Sequence, residues 1–203
     1  MAIAQSMDPT PARWVVVDLE TSGLNPRRDV LLAIGAVALH GDRVVIGDSF
    51  EMLVRPRVAS GRDNILIHGI GAEAQLSAAD AAIACTRFAN YVGDCPLAAF
   101  HAPFDQTVLL RAMRLSAGIH LSNPWLDLAD LAPALFPAVE ANSLDEWLEH
   151  FGILALRRHN ASSDAFATAT LFACLLDRVP PAERDAAGLA AIARRVQAAR
   201  DGG

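Results

Sequence analysis

The first part of the chain alternates between apolar runs and turn residues, a pattern that predicts three β-strands. The run Trp14–Leu19 is rich in β-branched residues and predicts a buried strand, which is followed by a turn rich in Gly, Pro and Asn. Val30–Leu39 and Arg43–Val54 predict the second and third strands, and the Gly-Asp pair at 41–42 is typical of the hairpin turn between them. We therefore expect the fold to open with three antiparallel strands.

Later in the chain, apolar residues recur at helical spacing, with two short strand-like runs between them. Helices are predicted at Ser77–Val92 (with Ser77 as N-cap), Phe104–Leu115, Leu128–Phe136, Ser143–Phe151, Ala161–Leu176 and Ala182–Arg200. Short strands are predicted at residues 96–100 and at Asn123–Leu126. A meander followed by alternating helices and strands indicates an α/β fold with a mixed five-stranded central sheet flanked by helices.

The length of 203 residues favours one α/β domain over two small ones. The sequence predicts a flexible leader at residues 1–12, a folded domain at residues 13–179 and a C-terminal helical tail at residues 180–203. The three cysteines show no CxxC spacing, so neither a zinc site nor a disulfide framework is indicated. Because no apolar run approaches the roughly 18 residues of a membrane helix, we expect a cytoplasmic protein without a membrane partner.

The balance of charge limits the ways in which this protein could hold nucleic acid. The net charge is -6, and all 17 basic residues are arginine. Tight, sequence-independent binding of a duplex normally depends on a basic surface, so the acidic balance argues against it. It does not exclude chemistry on nucleic acid, because divalent cations held by acidic side chains can present positive charge to a phosphodiester.

Two carboxylates stand close together at the end of the first predicted strand. Asp18 and Glu20 are separated by one residue, and side chains at such positions of a strand point to the same face. Two carboxylates on one face repel each other unless a cation lies between them, and a hard divalent ion with oxygen ligands is the usual solution. The alternative is that the strand has ended and both side chains are solvated.

Two further segments carry residues suited to the same chemistry. Asp105 is predicted in the first turn of a helix that follows a buried strand, where it fits either a ligand site or an interaction with the helix dipole. His159 and Asp164 are five residues apart, about 140° around a continuous helix. They can share a site only if His159 lies on the incoming loop and Asp164 in the first turns, with Asn160 or Ser162 as cap. Capping or packing is the alternative for His159.

Together, these three segments resemble the three motifs of the DnaQ-like exonucleases, the family of the proofreading epsilon subunit. They read VVVDLETSGL at 15–24, AAFHAPFD at 98–105 and RHNASSDA at 158–165. Their order and spacing agree with the family over residues 13–177. The sister DEDDy group has Tyr four residues before the last Asp, where this chain has Asn160, so the resemblance is to the DEDDh group. One departure is Ala102, which stands where the family usually has Asn.

The resemblance implies a ribonuclease H-like fold and a 3′-to-5′ exonuclease that releases nucleoside 5′-monophosphates. It implies the catalytic set Asp18, Glu20, Asp105, His159 and Asp164. The four carboxylates would hold two Mg²⁺ or Mn²⁺ ions about 4 Å apart. Asp18 would bridge both ions, Glu20 and Asp164 would complete the site on the nucleophile side, and Asp105 would hold the second ion. His159 would act as the general base, since histidine changes its charge near neutral pH.

The resemblance also implies residues that contact the substrate. These are Leu19, Thr21, Gly23, Leu24, His68 and Ile70. The backbone around Leu19 and Thr21 would meet the terminal sugar, and Leu24, His68 and Ile70 would wedge or stack the last bases. For His68 and Ile70 the alternative is core packing. His101, although part of the second motif, is interpreted as structural.

The substrate is expected to be the 3′ end of single-stranded DNA, in repair or proofreading. An RNA-processing exonuclease of the RNase T or oligoribonuclease kind shares the same five residues and remains the alternative. A non-catalytic nucleic-acid-binding module is a third hypothesis, which the complete set of carboxylates disfavours. Because residues 180–203 contain no aromatic residue and no clamp-binding peptide, a polymerase or clamp partner is not evident. The oligomeric state is left open by the sequence.

Overall fold

The computed structural model of the protein describes residues 13–155 and 158–201, with side chains as far as residue 195. The strands are β1 (Arg13–Thr21), β2 (Leu31–His40), β3 (Arg43–Leu53), β4 (Leu97–Ala99) and β5 (Trp125–Asp127). The helices are α1 (Arg62–His68), α2 (Ala72–Ser77), α3 (Ala81–Val92), α4 (Ala102–Ala117), α5 (Leu128–Leu135), α6 (Leu144–Phe151), α7 (Ala161–Leu176) and α8 (Ala186–Asp201). The predicted leader, residues 1–12, lies outside the described residues.

The five strands form one mixed sheet in the order β3-β2-β1-β4-β5, which confirms the predicted sheet. β2 runs antiparallel to both β1 and β3, whereas β4 runs parallel to both β1 and β5. The C-terminal ends of β1, β3, β4 and β5 therefore meet at the same edge of the sheet. In open α/β sheets, this is the edge at which ligands bind.

Side-chain alternation along β1 separates two halves of the core. Val15 and Val17 belong to a cluster that contains residues of α3 and α4, whereas Trp14 and Val16 belong to a cluster that contains residues of α5, α7 and α8. The ring of Trp14 packs edge-on against Phe172 of α7, with 5.3 Å between the centroids. Because even-numbered positions of β1 face α7, the polar residues at the end of the strand are directed towards that helix.

The close approach of α7 to β2 depends on a glycine. Gly35 pairs with Asp18 across the β1–β2 ladder. A Cβ atom at position 35 would lie 2.1 Å from the carbonyl carbon of Ala161 and 2.4 Å from the backbone nitrogen of Ser162. The first turn of α7 therefore rests on the backbone of β2, next to the first of the predicted catalytic residues.

The segment between β3 and α3 differs from the prediction. The helix expected at Ser77–Val92 begins at Ala81, and its N-cap is Asp80, whose carboxylate accepts the N–H of Ala82 at 2.9 Å. Ser77 instead ends α2, so the prediction of Ser77 as N-cap is wrong. The helices α1 and α2 were not predicted, because each has fewer than eight residues and three glycines at 61, 69 and 71 interrupt the apolar pattern.

The C-terminal helix begins later than expected and packs against the domain. A single 3₁₀ turn at Pro181–Glu183 precedes α8. Leu189 and Ala193 of α8 lie in the same buried cluster as residues of α5 and α7. The division of the chain at residue 180 stays a prediction. Within the described part of the chain, none of the helices has the length and apolar character needed to cross a membrane.

Replacement of Gly35 by alanine should destabilise the fold. The added methyl group cannot be accommodated without displacement of the first turn of α7, and overpacking of this kind typically costs about 1–3 kcal/mol in the free energy of unfolding. Gly47→Ala in β3 is the matched control, because a Cβ there would meet nothing within 4 Å. Urea unfolding of both variants measures the difference. Equal stability of the two variants would contradict the proposed close contact.

Candidate active site

Three carboxylates from two distant parts of the sequence converge at the edge of the sheet. Oxygen atoms of Asp18, Glu20 and Asp164 all lie within 4.8 Å of one another. Asp18 and Glu20 are half-buried at the end of β1, and Asp164 is buried in the first turn of α7. This arrangement excludes the alternative that the first two side chains are simply dispersed in solvent.

Local structure at the start of α7 determines where Asp164 lies. Asn160 is the N-cap, and its side-chain oxygen accepts the N–H of Ser163 at 3.1 Å. The helix therefore begins after His159, as the shared-site interpretation requires, and Ser162 is not the cap. Since the same turn rests on Gly35, the strand partner of Asp18, the carboxylate of Asp164 is brought to Asp18.

The predicted base, His159, lies on the loop that leads into α7. Its φ of 59° places the backbone in the left-handed region, which is uncommon for a residue other than glycine. Its N–H donates to Oδ2 of Asp164 at 2.9 Å, so the loop is fastened to the carboxylate. The side chain is exposed, and its ring makes no hydrogen bond to any of the described residues. The imidazole is therefore accessible beside the carboxylates.

Arg158 also belongs to the site, although the sequence did not single it out. Its guanidinium forms an ion pair with Asp164, and Nε donates to Oδ1 of Asp145 at 2.6 Å. Its charge lowers the pKa of both Asp18 and Glu20. A cationic side chain thus offsets part of the repulsion among the carboxylates. The Arg-Arg pair before His159 was the available signal in the sequence, but it did not indicate which carboxylates Arg158 contacts.

Asp105 lies beside the three-carboxylate group without joining it. It is buried in the first turn of α4, with 7% of its surface exposed. Its charge is the largest charge contribution to the raised pKa of Asp18 after burial. The backbone N–H groups of Asp105 itself and of Leu19 lower the pKa of the Asp105 carboxyl. The fourth predicted carboxylate therefore faces the same site from the opposite helix layer.

A hydrogen-bonded corner fixes the start of α4. His101 is the N-cap residue and has a left-handed backbone with a φ of 63°. Oδ1 of Asp127, at the end of β5, accepts the N–H of His101 and the N–H of Ala129, each at 2.9 Å. Ala102, the position that departs from the family pattern, is buried in the core. Asp127 is a positioning residue that the sequence pattern did not reveal.

Three carboxyl groups of the site, those of Asp18, Glu20 and Asp105, have raised pKa values. Burial, followed by the charges of Asp105 and Asp164, raises the pKa of Asp18 well above its usual value. Burial and the charge of Asp164 raise the pKa of Glu20 to about 7. Burial raises the pKa of Asp105 to about 8. The negative charge of the site is thus incompletely compensated by the protein itself.

The donor set fits a hard divalent cation. Mg²⁺ binds oxygen atoms at about 2.1 Å, so ligands on opposite sides of one ion are about 4.2 Å apart. The separation of at most 4.8 Å within the Asp18, Glu20 and Asp164 group approaches that spacing. The raised pKa values of Asp18 and Glu20 indicate that a cation would relieve unfavourable charge. Carboxylate oxygens also suit Mn²⁺.

The predicted substrate-contacting residues near β1 differ in exposure. Leu19 and Thr21 are buried, and the hydroxyl of Thr21 donates to the carbonyl oxygen of Gly23 at 2.6 Å. Gly23 packs against the side chain of Asp29, which a Cβ atom at position 23 would approach to 2.6 Å. Leu24 is 93% exposed, so its apolar side chain projects into solvent. Their contact with substrate stays a prediction.

His68 and Ile70 lie in the segment that leaves the sheet after β3. His68 is 3% exposed, its Nε2 lies 2.8 Å from Oδ1 of Asn64, and its Nδ1 accepts the N–H of Ile70. These hydrogen bonds account for His68 as a residue that organises the loop, so a stacking role for it stays a prediction. Leu66 and Ile67, which the sequence pattern did not single out, are large and exposed in the same segment.

Comparison with known proteins identifies the family. The exonuclease family model, of the RNase T type, matches residues 15–172. The chain belongs to this exonuclease family. This confirms the sequence-based identification of the family and, at the level of the family, the prediction of a 3′-to-5′ exonuclease.

Curated relatives and solved structures agree with this assignment. The chain is 37% identical over 167 residues to a DNA polymerase III subunit epsilon-like protein of Rhodobacter capsulatus, covering 80% of this chain and 23% of that protein. It is 31% identical over 161 residues to a PolC-type DNA polymerase III of Thermotoga maritima, covering 79% of this chain and 12% of that protein. The chain thus spans less than a quarter of either relative.

The solved structures support the predicted ribonuclease H-like fold. One is Escherichia coli exonuclease I in complex with a dT13 oligonucleotide, with a TM-score of 0.70 and 18% identity over 82% of this chain and 41% of that chain. Another is exonuclease X in complex with 5′ overhanging duplex DNA, with a TM-score of 0.69 and 20% identity over 89% of this chain and 99% of that chain. Because the sequence identities are 20% or less, the similarity to these structures establishes the fold alone.

In the absence of divalent cations, the protein should lose stability as the pH rises from about 5 to 8. Asp18, Glu20 and Asp105 have folded-state pKa values above the ordinary value of about 4, so in this window the folded chain binds more protons than the unfolded chain. Raising the pH removes those protons and disfavours the folded state. Thermal unfolding in EDTA across this range measures the effect.

Two variants isolate the contribution of a site carboxylate to this dependence of stability on pH. Asp105→Asn should flatten it, whereas Asp94→Asn, at an exposed turn, should leave it unchanged. This control is needed because burial lowers the pKa of His68. Since the folded chain then binds fewer protons at this side chain than the unfolded chain, His68 makes the stability rise with pH below about pH 6.5. Identical slopes in wild type and Asp105→Asn would contradict the assignment.

Proposed function

We propose that the protein is a 3′-to-5′ exonuclease that hydrolyses the terminal phosphodiester of single-stranded DNA and releases nucleoside 5′-monophosphates. The observation that carries this proposal is the convergence of Asp18, Glu20 and Asp164 within 4.8 Å, beside the accessible ring of His159. Membership of the exonuclease family supports it. The non-catalytic module is disfavoured, because the four carboxylates and the histidine are all present in one place.

The cofactors proposed are two Mg²⁺ or Mn²⁺ ions, held by Asp18, Glu20, Asp105 and Asp164. When bound, such ions activate a water molecule and stabilise the charge that develops on the leaving 3′ oxygen. The charges of Asp105 and Asp164 both act on Asp18 and raise its pKa, which suits the bridging role. Asp105, outside the three-carboxylate group, suits the second ion.

His159 is proposed to take the proton from the attacking water. The hydrogen bond from its backbone to Asp164 holds the loop in place while the ring remains open to solvent. A general base must reach the proton that it abstracts, and an exposed imidazole on the loop that is hydrogen bonded to Asp164 supports this role. Leu24 and Ile70 are proposed to contact the last bases, and the backbone of Leu19, Thr21 and Gly23 the terminal sugar.

DNA is proposed as the substrate because the two curated relatives are named as DNA polymerase III proteins. A role in DNA repair or proofreading follows from that choice, and an RNA substrate is the alternative outcome of the same experiment. Sedimentation of the purified protein, alone and with DNA, establishes its oligomeric state.

Digestion of 5′-labelled single-stranded DNA and RNA oligonucleotides tests the activity. With Mg²⁺ or Mn²⁺ we expect a ladder of products that shortens from the 3′ end, and no cleavage in EDTA. Asp18→Ala should abolish the ladder, and His159→Ala should lower kcat by about 10²- to 10⁴-fold, the usual contribution of a general base. The polymer that is degraded faster decides between DNA and RNA.

Matched controls separate loss of chemistry from loss of fold. Asp94→Ala and His150→Ala remove an exposed carboxylate and an exposed imidazole outside the site, and both should retain wild-type activity. Absence of cleavage of both polymers with either ion would overturn the proposed function. Full activity of Asp18→Ala would overturn the assignment of the site.

Addition of Mn²⁺ or Mg²⁺ should raise the melting temperature of the protein. An ion present at 100 times its dissociation constant stabilises the folded state by about 2.7 kcal/mol, which corresponds to roughly 5–10 °C for a domain of this size. Asp18→Asn should lose most of the shift, whereas His159→Ala, which removes no ligand, should keep it. Differential scanning calorimetry measures both. An equal shift in wild type and Asp18→Asn would rule out ion binding at this site.

A further inference from the structure

A cavity lined by arginines carries the opposite charge from the carboxylate site. Arg27, Arg111, Arg114 and His120 line a cavity of about 410 Å³ whose other lining residues are uncharged. Arg27 lies on the loop between β1 and β2, and Arg111 and Arg114 lie on α4. In a chain with a net charge of -6, three arginines around one cavity without an acidic lining residue form a local exception.

These arginines are not neutralised as others in the chain are. Elsewhere, Arg13, Arg55, Arg158 and Arg184 each form an ion pair with an aspartate. Among the described residues, Arg27 and Arg114 are both exposed and form no ion pair. Their guanidinium groups are therefore available to an anion from solution.

Arg111 lines the same cavity and also holds the neighbouring loop. One of its terminal nitrogens donates to the carbonyl oxygen of Asp29, and its Nε is buried without a hydrogen-bond partner among the described residues. The carboxylate of Asp29 is not among the lining residues of the cavity, and it accepts from the hydroxyl of Ser22 and the N–H of Asn25. Guanidinium groups bind phosphate oxygens in a planar, bidentate geometry.

The cavity is linked to the candidate active site through two elements. The bond from Arg111 holds the end of the loop that begins with Gly23 and Leu24. On α4, Arg111 and Arg114 follow Asp105 by six and nine residues, about 9 and 13.5 Å along the helix axis. At about 3.4 Å per nucleotide of one strand, that distance corresponds to roughly three or four nucleotides.

We propose that this cavity binds a backbone phosphate of the substrate strand, a few nucleotides from the scissile bond. The inference rests on the proposed function and adds a site of phosphate recognition to it. A phosphodiester backbone is common to DNA and RNA. The affinity gained through this contact should therefore depend on the length of the strand and not on whether its sugar is deoxyribose or ribose. The cavity thus gives an acidic protein a local means of holding a polyanion.

The test compares substrates that reach the cavity with one that cannot. The variant Arg27→Gln/Arg114→Gln removes two charges and leaves Arg111, which fastens the loop, in place. The substrates are 5′-labelled oligonucleotides of 2 to 12 nucleotides and thymidine 5′-p-nitrophenyl phosphate, an ester without further nucleotides. Arg43→Gln, at the β2–β3 hairpin on the opposite edge of the sheet, is the matched control.

We expect the variant to raise KM for the 12-mer about tenfold and to leave kcat on the p-nitrophenyl ester unchanged. The dependence of log KM on log salt should become shallower by about 0.7 for each phosphate of a single strand that the protein no longer neutralises. The gain in affinity from the dinucleotide to the 12-mer should largely disappear. Wild-type KM and salt dependence in the variant would overturn the proposal.

Failure of the proposed function would be recognised separately. If the wild-type protein cleaves neither the ester nor the oligonucleotides, the function is wrong, and the cavity is then tested by binding alone. Fluorescence anisotropy of a labelled 12-mer in EDTA should still show about tenfold weaker binding by the double variant than by Arg43→Gln. Equal binding by these two variants would overturn the cavity proposal.

Discussion

The mutual repulsion of carboxylates held at one edge of the sheet is the constraint on which the rest of this structure depends. Two unit charges 4 Å apart near a protein surface repel each other by about 4 kcal/mol. The fold brings three such groups within 4.8 Å and places a fourth beside them. Only a rigid scaffold can impose this arrangement, and β1, hydrogen bonded to β2 and β4, provides it. The contact of α7 with Gly35 then fixes the remaining carboxylate.

Arg158 shows how the protein limits the repulsion without abolishing it. Its ion pair with Asp164 and its bond to Asp145 place one positive charge against the cluster. Burial and the charge of Asp164 nevertheless raise the pKa of Glu20 to about 7, so Arg158 offsets these two effects only in part. A fully neutralised cluster would have little affinity for a cation, whereas an unshielded one would destabilise the fold more strongly. The observed balance suits a site that is stable alone and still favours ion binding.

Much of the fold could be predicted because it is encoded locally, whereas the complete carboxylate set, whose catalytic role stays a prediction, was predicted from the resemblance to the three family motifs. The alternation that buries Val15 and Val17 also directs Asp18 and Glu20 to one face, and the start of α7 was predicted at Ala161, where it begins. Contacts between distant segments were not predictable. In the sequence, Gly35 looks like an ordinary strand residue, because its role depends on the contact with α7 that only the structure shows. The short helices α1 and α2 depend on a buried network around Gln75, whose side chain bonds Ser60 and Ile70.

The net charge of the chain also differs from the charge at particular places on its surface. An overall charge of -6 argues against strong binding of nucleic acid, yet α4 carries Asp105 in its first turn and Arg111 and Arg114 in its later turns. This order also matches the helix dipole, which favours acidic groups near the N-terminus and basic groups near the C-terminus. One helix can therefore carry the proposed cation-binding carboxylate and the proposed phosphate-binding arginines within about 14 Å along its axis, because the two opposite charges lie at positions that the helix itself stabilises.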